Sequence, residues 1–494
     1  SGNSSTGSDN GDGKGTPKPA ETGKLPKETK GAPVKLTMMV QNHPVQPFRE
    51  DWLVWKLHEK NANVELDVSG YQGDWWDAIA LIVASGDMPD LMWMVNQDAM
   101  KYGEQGAVVD LLEHLDEMPN LRAFMEKYPE ETPPLYSSGG KLYLHPSHGA
   151  FGDYNSMWLY RKDIFEKNQL DLPKNYDEFY ETLLKLKECY PESYPLYASG
   201  LDIFNTLGIS YGVQQVIFYD PFSQSVKFGP AEDNYKPLLE FITKAYRDRL
   251  IPLEFGNLSN EKLEEMLSTD KTFIYRGWFE EHFEKYNEIM REDNPDFTLA
   301  FMPPPEGPAG AYNDYKSLLQ EGLVVTTTSR QKEAALQFVD YLFTEEGKEA
   351  VSWGEEGTTF EVVNGKKQFL PAVSNGATAG IEFGLRTSGN MAWVDTDAME
   401  ALMTEETAAI YQEGLKYVAP MSILPPLTKE EAESITIKQE AIGKYADETI
   451  SKIVIGQNAI DEWDAFREEL KRLGLDDVLS VYNHAAERRE QKRK

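Results

Sequence analysis

At 494 residues the chain exceeds the roughly 250–300 at which one hydrophobic core stops growing, so at least two lobes are expected. Apolar residues make up 40% and aromatics 12%, with 10 Trp and 25 Tyr, which excludes a chain too poor in apolar surface to fold. The formal charge of −33 repels polyanions and argues against nucleic-acid binding, and the most apolar run, residues 78–84, falls far short of the ~18 residues a membrane span needs.

Residues 1–33 contain no aromatic residue and mix Gly, Ser, Pro, Lys and acids, a composition unable to bury enough surface to offset its ordering entropy. They read as a disordered tether. The small residues Ser1, Gly2, Asn3, Ser4 and Ser5 are of the kind that follows the lipid-modified Cys of a bacterial lipoprotein. Val34–Val40 alternates and is rich in strand formers, and is expected to be the first core strand. Pro47 is expected to start a helix carrying Trp52, Trp55 and Leu57 on its period, and Val64 to Val68 alternates again, giving a parallel βαβ unit whose strand ends present binding loops. An apolar helix over residues 75–84 closes at Ser85 and Gly86, and a buried strand follows over residues 89–95.

From about residue 162 the pattern changes to long amphipathic helices. Phe179, Leu183, Leu184 and Leu186 are placed on one side of the first, and the lone cysteine, Cys189, reads as a half-buried thiol at its end. Residues 299–302 read as a strand leaving this second lobe, residues 322–328 as a strand back in the first, and residues 334–343 as an amphipathic helix. Late helices are expected over residues 448–472, with Ile450, Ile453 and Val454 inward. Arg488, Arg489, Lys492, Arg493 and Lys494 read as a solvated basic helix end. Repeated crossing between lobes makes a hinge.

Five ordered segments carry a family likeness. Residues 84–91 read Ala-Ser-Gly-Asp-Met-Pro-Asp-Leu; Gly106 to Leu111 precede Met118-Pro119-Asn120; Tyr160-Arg-Lys-Asp163 precedes Leu172-Pro173 and Tyr176-Asp-Glu-Phe179. Residues 334–342 lead to Glu346-Gly347 and Trp353-Gly-Glu-Glu-Gly357, and Ile455-Gly456, Trp463-Asp464 and Leu473-Gly-Leu475 close the series. Together they resemble the extracellular solute-binding protein family 1, in its branch of large ABC-transporter substrate-binding lipoproteins. The resemblance implies an α/β, two-lobe type II periplasmic-binding-protein fold with an interlobe cleft and hinge. The lobes are expected at residues 34–156 plus 300–350 and 157–299 plus 351–494. It also implies an oligosaccharide ligand, an ABC permease as partner, a lipid anchor at the outer face of the cell membrane, and a monomer. Some alginate-binding members carry an acidic calcium loop after the segment matching residues 176–187; here residues 188–194 lack the alternating Asp and Asn ligands, so neither a metal nor a cofactor is expected.

A sugar presents a face of C–H groups and a rim of hydroxyls, so its site needs aromatic rings and directed polar groups. Trp278 follows Arg276 and Gly277 where a strand-like run meets a glycine, and the family places a cleft-facing segment there. Trp75 and Trp76 open a helix after a loop, one expected to face inward and the other out. Trp393 and Arg386 lie in a glycine-rich loop, and Gln41, Asn42 and His43 follow the first strand. Tyr154, Asn155 and Glu355 complete the candidate set, while Trp52, Trp55, Trp93, Trp158 and Trp463 are assigned to the cores. His145 and His148 have a spacing that could hold a metal but no third ligand, so a hydrogen-bonding role is preferred. No HExxH, GxSxG or phosphate-loop motif is present, and with 82 acidic residues close carboxylate pairs identify nothing. The alternative reading is a carbohydrate-active enzyme, a lyase or glycosidase, acting in the same cleft.

Overall fold

A computed structural model describes residues 31–198, 201–252, 259–278, 283 and 285–493. Most of the expected tether, residues 1–30, lies outside these, as does Lys494. The alternation in Val34–Val40 becomes a strand with Leu36, Met38 and Val40 turned into the core. It lies parallel to Val64–Gly70 on one side and to Leu91–Val95 on the other, and Glu321–Val325 adds an antiparallel edge, so the sheet order is that edge strand, then Leu91–Val95, Val34–Val40 and Val64–Gly70. Continuous burial of residues 91–94 fits a strand covered on both faces.

The helix expected from Pro47 starts only at Leu53. The Asn42 side chain accepts the Phe48 N–H at 2.9 Å and holds a turn there, and Trp52 stays extended at ψ 138° with its indole N–H donating to the Ile381 carbonyl at 2.8 Å. Trp75–Ser85 is set at both ends: Asp74 accepts the N–H groups of Trp76 and Asp77, and Gly86 takes the left-handed conformation at φ 73° that a side chain would resist.

The second sheet runs Leu196–Tyr197, Ile274–Trp278, Ser156–Arg161, Leu299–Phe301, with Ser156–Arg161 antiparallel to both of its neighbours. Against it packs Tyr176–Cys189, burying Phe179, Leu183 and Leu186. Leu184, expected on that face, is exposed because the i, i+4, i+7 stripe does not include it, and Cys189 is exposed rather than half-buried. The late helix begins earlier than expected, at Lys429, where Thr428 and Glu431 form a reciprocal capping box, and it buries Ile450, Ile453 and Val454 as read from the sequence. Trp52, Trp55, Trp158 and Trp463 are all buried in cores.

Two corrections follow from packing. The basic C-terminal helix, Leu475–Arg493, is not a solvated end. Arg489 lies over the Tyr219 ring and donates to the Ile423 carbonyl, Arg488 pairs with Glu431, and Lys492 donates to the Ser138 carbonyl on the first lobe's side. The lobe partition also differs. Val351 and Ala392, Trp393 and Val394 join the core of the first sheet, although residues 351–494 were expected in the second lobe; Phe301 and Met302, expected in the first, pack in cores built on the second sheet. Helices Thr396–Ala401 and Glu405–Gly414 join the second body through Met399 and Tyr411.

The chain segments passing between the two bodies lie side by side. Ser317 N–H donates to Asp153 O at 2.9 Å, Lys316 N–H to Ala419 O at 2.6 Å, and Asp314–Tyr315 pairs in parallel with Val418–Ala419. Asp314 gathers the N–H groups of Asn155, Ser156 and Tyr315 and the Arg276 guanidinium, fixing where the second sheet's central strand begins. Among the described residues no helix is long and apolar enough to cross a membrane.

Candidate ligand cleft

The carboxyl ends of the parallel strands in the first sheet are where loops leave the fold and a ligand can approach, and a cavity of ≈ 750 Å³ opens there. Gln41 and His43 enter it directly after Val34–Val40, and Trp75 enters from the helix that follows Val64–Gly70. A second stretch of chain, residues 375–391, supplies Asn375, Arg386, Ser388 and Met391. The opposite wall comes from Phe151, in the segment between the bodies, from Met399 and Met403, which pack in a core of the second body, and from Leu402 between them, which packs against Val373, Ala379 and Leu385. Both bodies therefore contribute.

The aromatic side of the wall is ordered by ring contacts. Trp75 stacks on Trp76 with centroids 3.8 Å apart, and its edge meets Trp93 at 4.9 Å and 74°. Trp76 is 47% exposed, so of the pair Trp75 lines the cavity and Trp76 backs it from the solvent side. Trp93 was assigned to the core; it is buried, yet it also borders the cavity. The polar side is held by the loop over residues 384–390. Gly384 sits at φ 77°, and a Cβ there would come 2.8 Å from the Trp52 ring. Ser388 Oγ accepts the Gln41 N–H at 2.9 Å, and Asn390 Oδ1 faces His58 Nε2 at 2.8 Å while Tyr341 meets Nδ1 at 2.9 Å. Burial pushes His58 down to about 4. Arg386 stands at φ 53°, its N–H bonded to the Val351 carbonyl, and its guanidinium reaches the first turn of Gly376–Phe383. His43 Nδ1 accepts the Val45 N–H at 3.1 Å, which leaves Nε2 to donate.

The remaining sequence candidates are placed otherwise. Trp278 is 56% exposed at the end of its strand, in register with Ser156 and one residue along from Asn155. Asn155 borders a smaller cavity of ≈ 80 Å³ that shares Ala150 and Phe151 with the large one. Arg276 is engaged by Asp314 at 3.0 Å. Asn42 is spent on the turn at Phe48, and Glu355 accepts the Thr358 hydroxyl at 2.6 Å away from the cavity. Tyr154 and Trp393 require correction as platforms. Tyr154 is wholly buried, stacked on Tyr411 at 5.1 Å and 5°, with its hydroxyl on the Tyr411 carbonyl. Trp393 is 6% exposed, with Lys127 and Lys348 over its ring and its edge to Phe343, so no open face is left for a sugar.

His145 and His148 do not form a metal pair: His148 Nδ1 meets Glu131 at 2.7 Å, and desolvation drives the buried His145 down to about 3. Among the described residues no cluster of three His, Cys, Asp or Glu is placed to hold a metal. Sequence reasoning missed Phe151, Met391, Met399, Leu402, Met403 and Glu321, all of which border the cavity. Only Glu321 carried a readable signal, a lone acid heading an apolar strand.

Residues 46–349 match the model of the bacterial extracellular solute-binding protein family. The chain belongs to that family. Among curated relatives it is 23% identical over 492 residues to the fructooligosaccharide ABC transporter substrate-binding protein FusA of Streptococcus pneumoniae serotype 4, covering 90% of this chain and 89% of that one. It is also 23% identical over 330 residues to lipoprotein LipO of Bacillus subtilis, covering 63% and 64%. In fold it is similar to an HMO-binding ABC-transporter-associated solute-binding protein from Bifidobacterium longum infantis, at a TM-score of 0.73 and 18% identity over 93% of this chain and 99% of that one. The alginate-binding protein AlgQ2 superposes at 0.69 and 24% identity over 92% and 98%. The fold is thus the expected two-lobe solute-binding architecture.

Proposed function

We propose that this solute-binding protein captures an oligosaccharide between its two lobes and delivers it to an ABC importer. The observation that carries the reading is the ≈ 750 Å³ cavity whose walls come from both bodies, with the Trp75 and Trp93 indoles on one side and Arg386, His43 and Gln41 as hydrogen-bonding groups around it. Its volume lies within the ~300–1,000 Å³ of small-molecule sites. The names of FusA and of the HMO-binding and alginate-binding structures support a saccharide over other solutes.

A ligand touching both walls favours whichever lobe arrangement brings them together, so capture is coupled to hinge closure about the segments at residues 149–155 and 313–319. In the closed form the exposed Trp278 ring covers the ligand from the second lobe, next to Asn155. The permease reads this closed form. One chain supplies both walls, so capture needs no second copy. The composition of residues 1–33 and the lipoprotein relative support tethering to the outer face of the membrane through a lipid anchor. The test is a thermal-shift screen against a panel of oligosaccharides, followed by chromatography of the incubated sugar. Stabilisation by one sugar class with the sugar recovered intact supports capture; no stabilisation, or accumulation of cleaved products, overturns it.

A further inference from the structure

The wall carrying Trp93 also holds a carboxylate with no counter-charge among the described residues. Glu321 opens the edge strand Glu321–Val325, where it stands opposite Val95, two residues along from the Leu323 and Trp93 pair. Opposed residues on antiparallel strands share a face, as do i and i+2, so Glu321 projects with Val95 and Trp93, and all three border the cavity. The backbone there is pinned: the Asn96 N–H donates to Gln320 O at 2.8 Å and Ser147 Oγ to Glu321 O at 3.1 Å. Burial alone raises the Glu321 carboxyl above the usual carboxylate range, with no compensating cation or donor among the described residues. Beneath it, a void of ≈ 10 Å³ is shared with His145, whose buried Nε2 has no hydrogen-bond partner among the described residues. Glu321 is half-buried and its carboxylate, without a partner among the described residues, is open on the side of the ligand cavity, so a seated ligand that removes its remaining water must supply the hydrogen bonds.

We infer that Glu321 is a specificity-determining contact whose carboxylate accepts hydrogen bonds from neighbouring hydroxyls of the bound sugar, on the ring that lies against the Trp75 and Trp93 edge of the cleft. This rests on the oligosaccharide reading above and deepens it. A carboxylate accepts from hydroxyl donors and repels an anionic ring, so this subsite takes a neutral, hydroxyl-bearing residue and turns away a uronate. The charge-assisted bonds form only when the ligand is seated, so Glu321 contributes to affinity while burdening the empty protein.

The experiment is calorimetric titration of the full chain and of Glu321→Gln with the oligosaccharide that most stabilises the wild type, alongside ligand-free melting curves. The inference predicts an affinity loss of about tenfold or more with a ligand-free melting temperature equal to or above wild type, because a hydrogen bond to a charged group is lost and a buried charge removed. Binding within about twofold of wild type overturns it, as does an affinity loss accompanied by a lowered ligand-free melting temperature, which marks a structural role. Titration with chitosan oligomers and their N-acetylated counterparts is the second arm. Wild-type binding of the ammonium form alone would make Glu321 a cation partner and refute the hydroxyl assignment. If no oligosaccharide binds the wild type, the capture reading itself falls; if one binds and Glu321→Gln is indifferent, only this inference does.

Discussion

Replacing Trp278 by alanine separates a ligand platform from a core ring, because the two roles predict opposite balances of affinity and stability. The ring is 56% exposed. Of the ~200 Å² an indole can bury, roughly 110 Å² is therefore open, and at ~25 cal/mol/Å² its full coverage by ligand would contribute ~2.8 kcal/mol. A sugar covering one face uses about half of that, ~1.4 kcal/mol, or a tenfold change in affinity. The part already buried, roughly 90 Å², limits the loss of ligand-free stability to ~2 kcal/mol, an upper bound because denatured chains bury some surface themselves. Isothermal titration with the stabilising oligosaccharide should show a ten- to about hundredfold weaker complex, and urea unfolding without ligand should show a loss no larger than that bound. An affinity within about twofold of wild type, or a stability loss well beyond ~2 kcal/mol, would refute the placement of this ring over the ligand.

Further outcomes follow from the same geometry. His58 and His145 are buried and neutral, His58 held down to about 4 and His145 to about 3, whereas in the unfolded chain each takes a proton below its ordinary value near 6.5. Stability is therefore complete above pH 6.5 and falls as pH is lowered toward these values, by ~2 kcal/mol for each histidine at pH 5; denaturant melts that are flat between pH 7 and 5 would contradict this. Asp314→Ala removes the partner of the mostly buried Arg276 and the acceptor for three backbone N–H groups, so it should destabilise the protein by ~3 kcal/mol in urea unfolding. An unchanged midpoint would show that this cluster does not hold the start of the second sheet's central strand. Trp75→Ala should weaken binding by about tenfold or more, as loss of a ring that borders the cavity requires; unchanged calorimetric affinity would move the ligand elsewhere.

Local patterns were legible where a single period or cap decides the structure. Alternation in Val34–Val40, the capped helix Trp75–Ser85 and the buried run Leu91–Val95 form where read, because period and caps are local; the apolar residues of that helix did not tell which face is buried, since only Ile79 is and Leu81 is exposed. The two-lobe family was legible from five short ordered motifs. What escaped the sequence depends on contacts between distant segments. Trp393 sits in a loop rich in glycine, which reads as exposed, but residues 392 and 394 bond with His148 and draw the ring into the first core. The same return of the chain carries Arg386 to the mouth of the first sheet and moves the lobe boundary. Among ten tryptophans, nothing local distinguishes Trp75, which borders the cavity, from Trp76 stacked behind it. Glu321 was overlooked although it heads an apolar strand, because only the fold shows that it borders the cavity and that no described neighbour partners its carboxylate.

The proposed function requires a saccharide in the space between the Trp75 and Arg386 wall and the Met399 to Met403 wall. A crystal structure of the protein with the oligosaccharide selected by thermal shift tests it most directly. Sugar density in contact with both walls, with the lobes drawn together, is the predicted result. Density confined to one lobe's outer surface, or to the separate groove of ≈ 330 Å³ beside Arg489 and Tyr219, would contradict it.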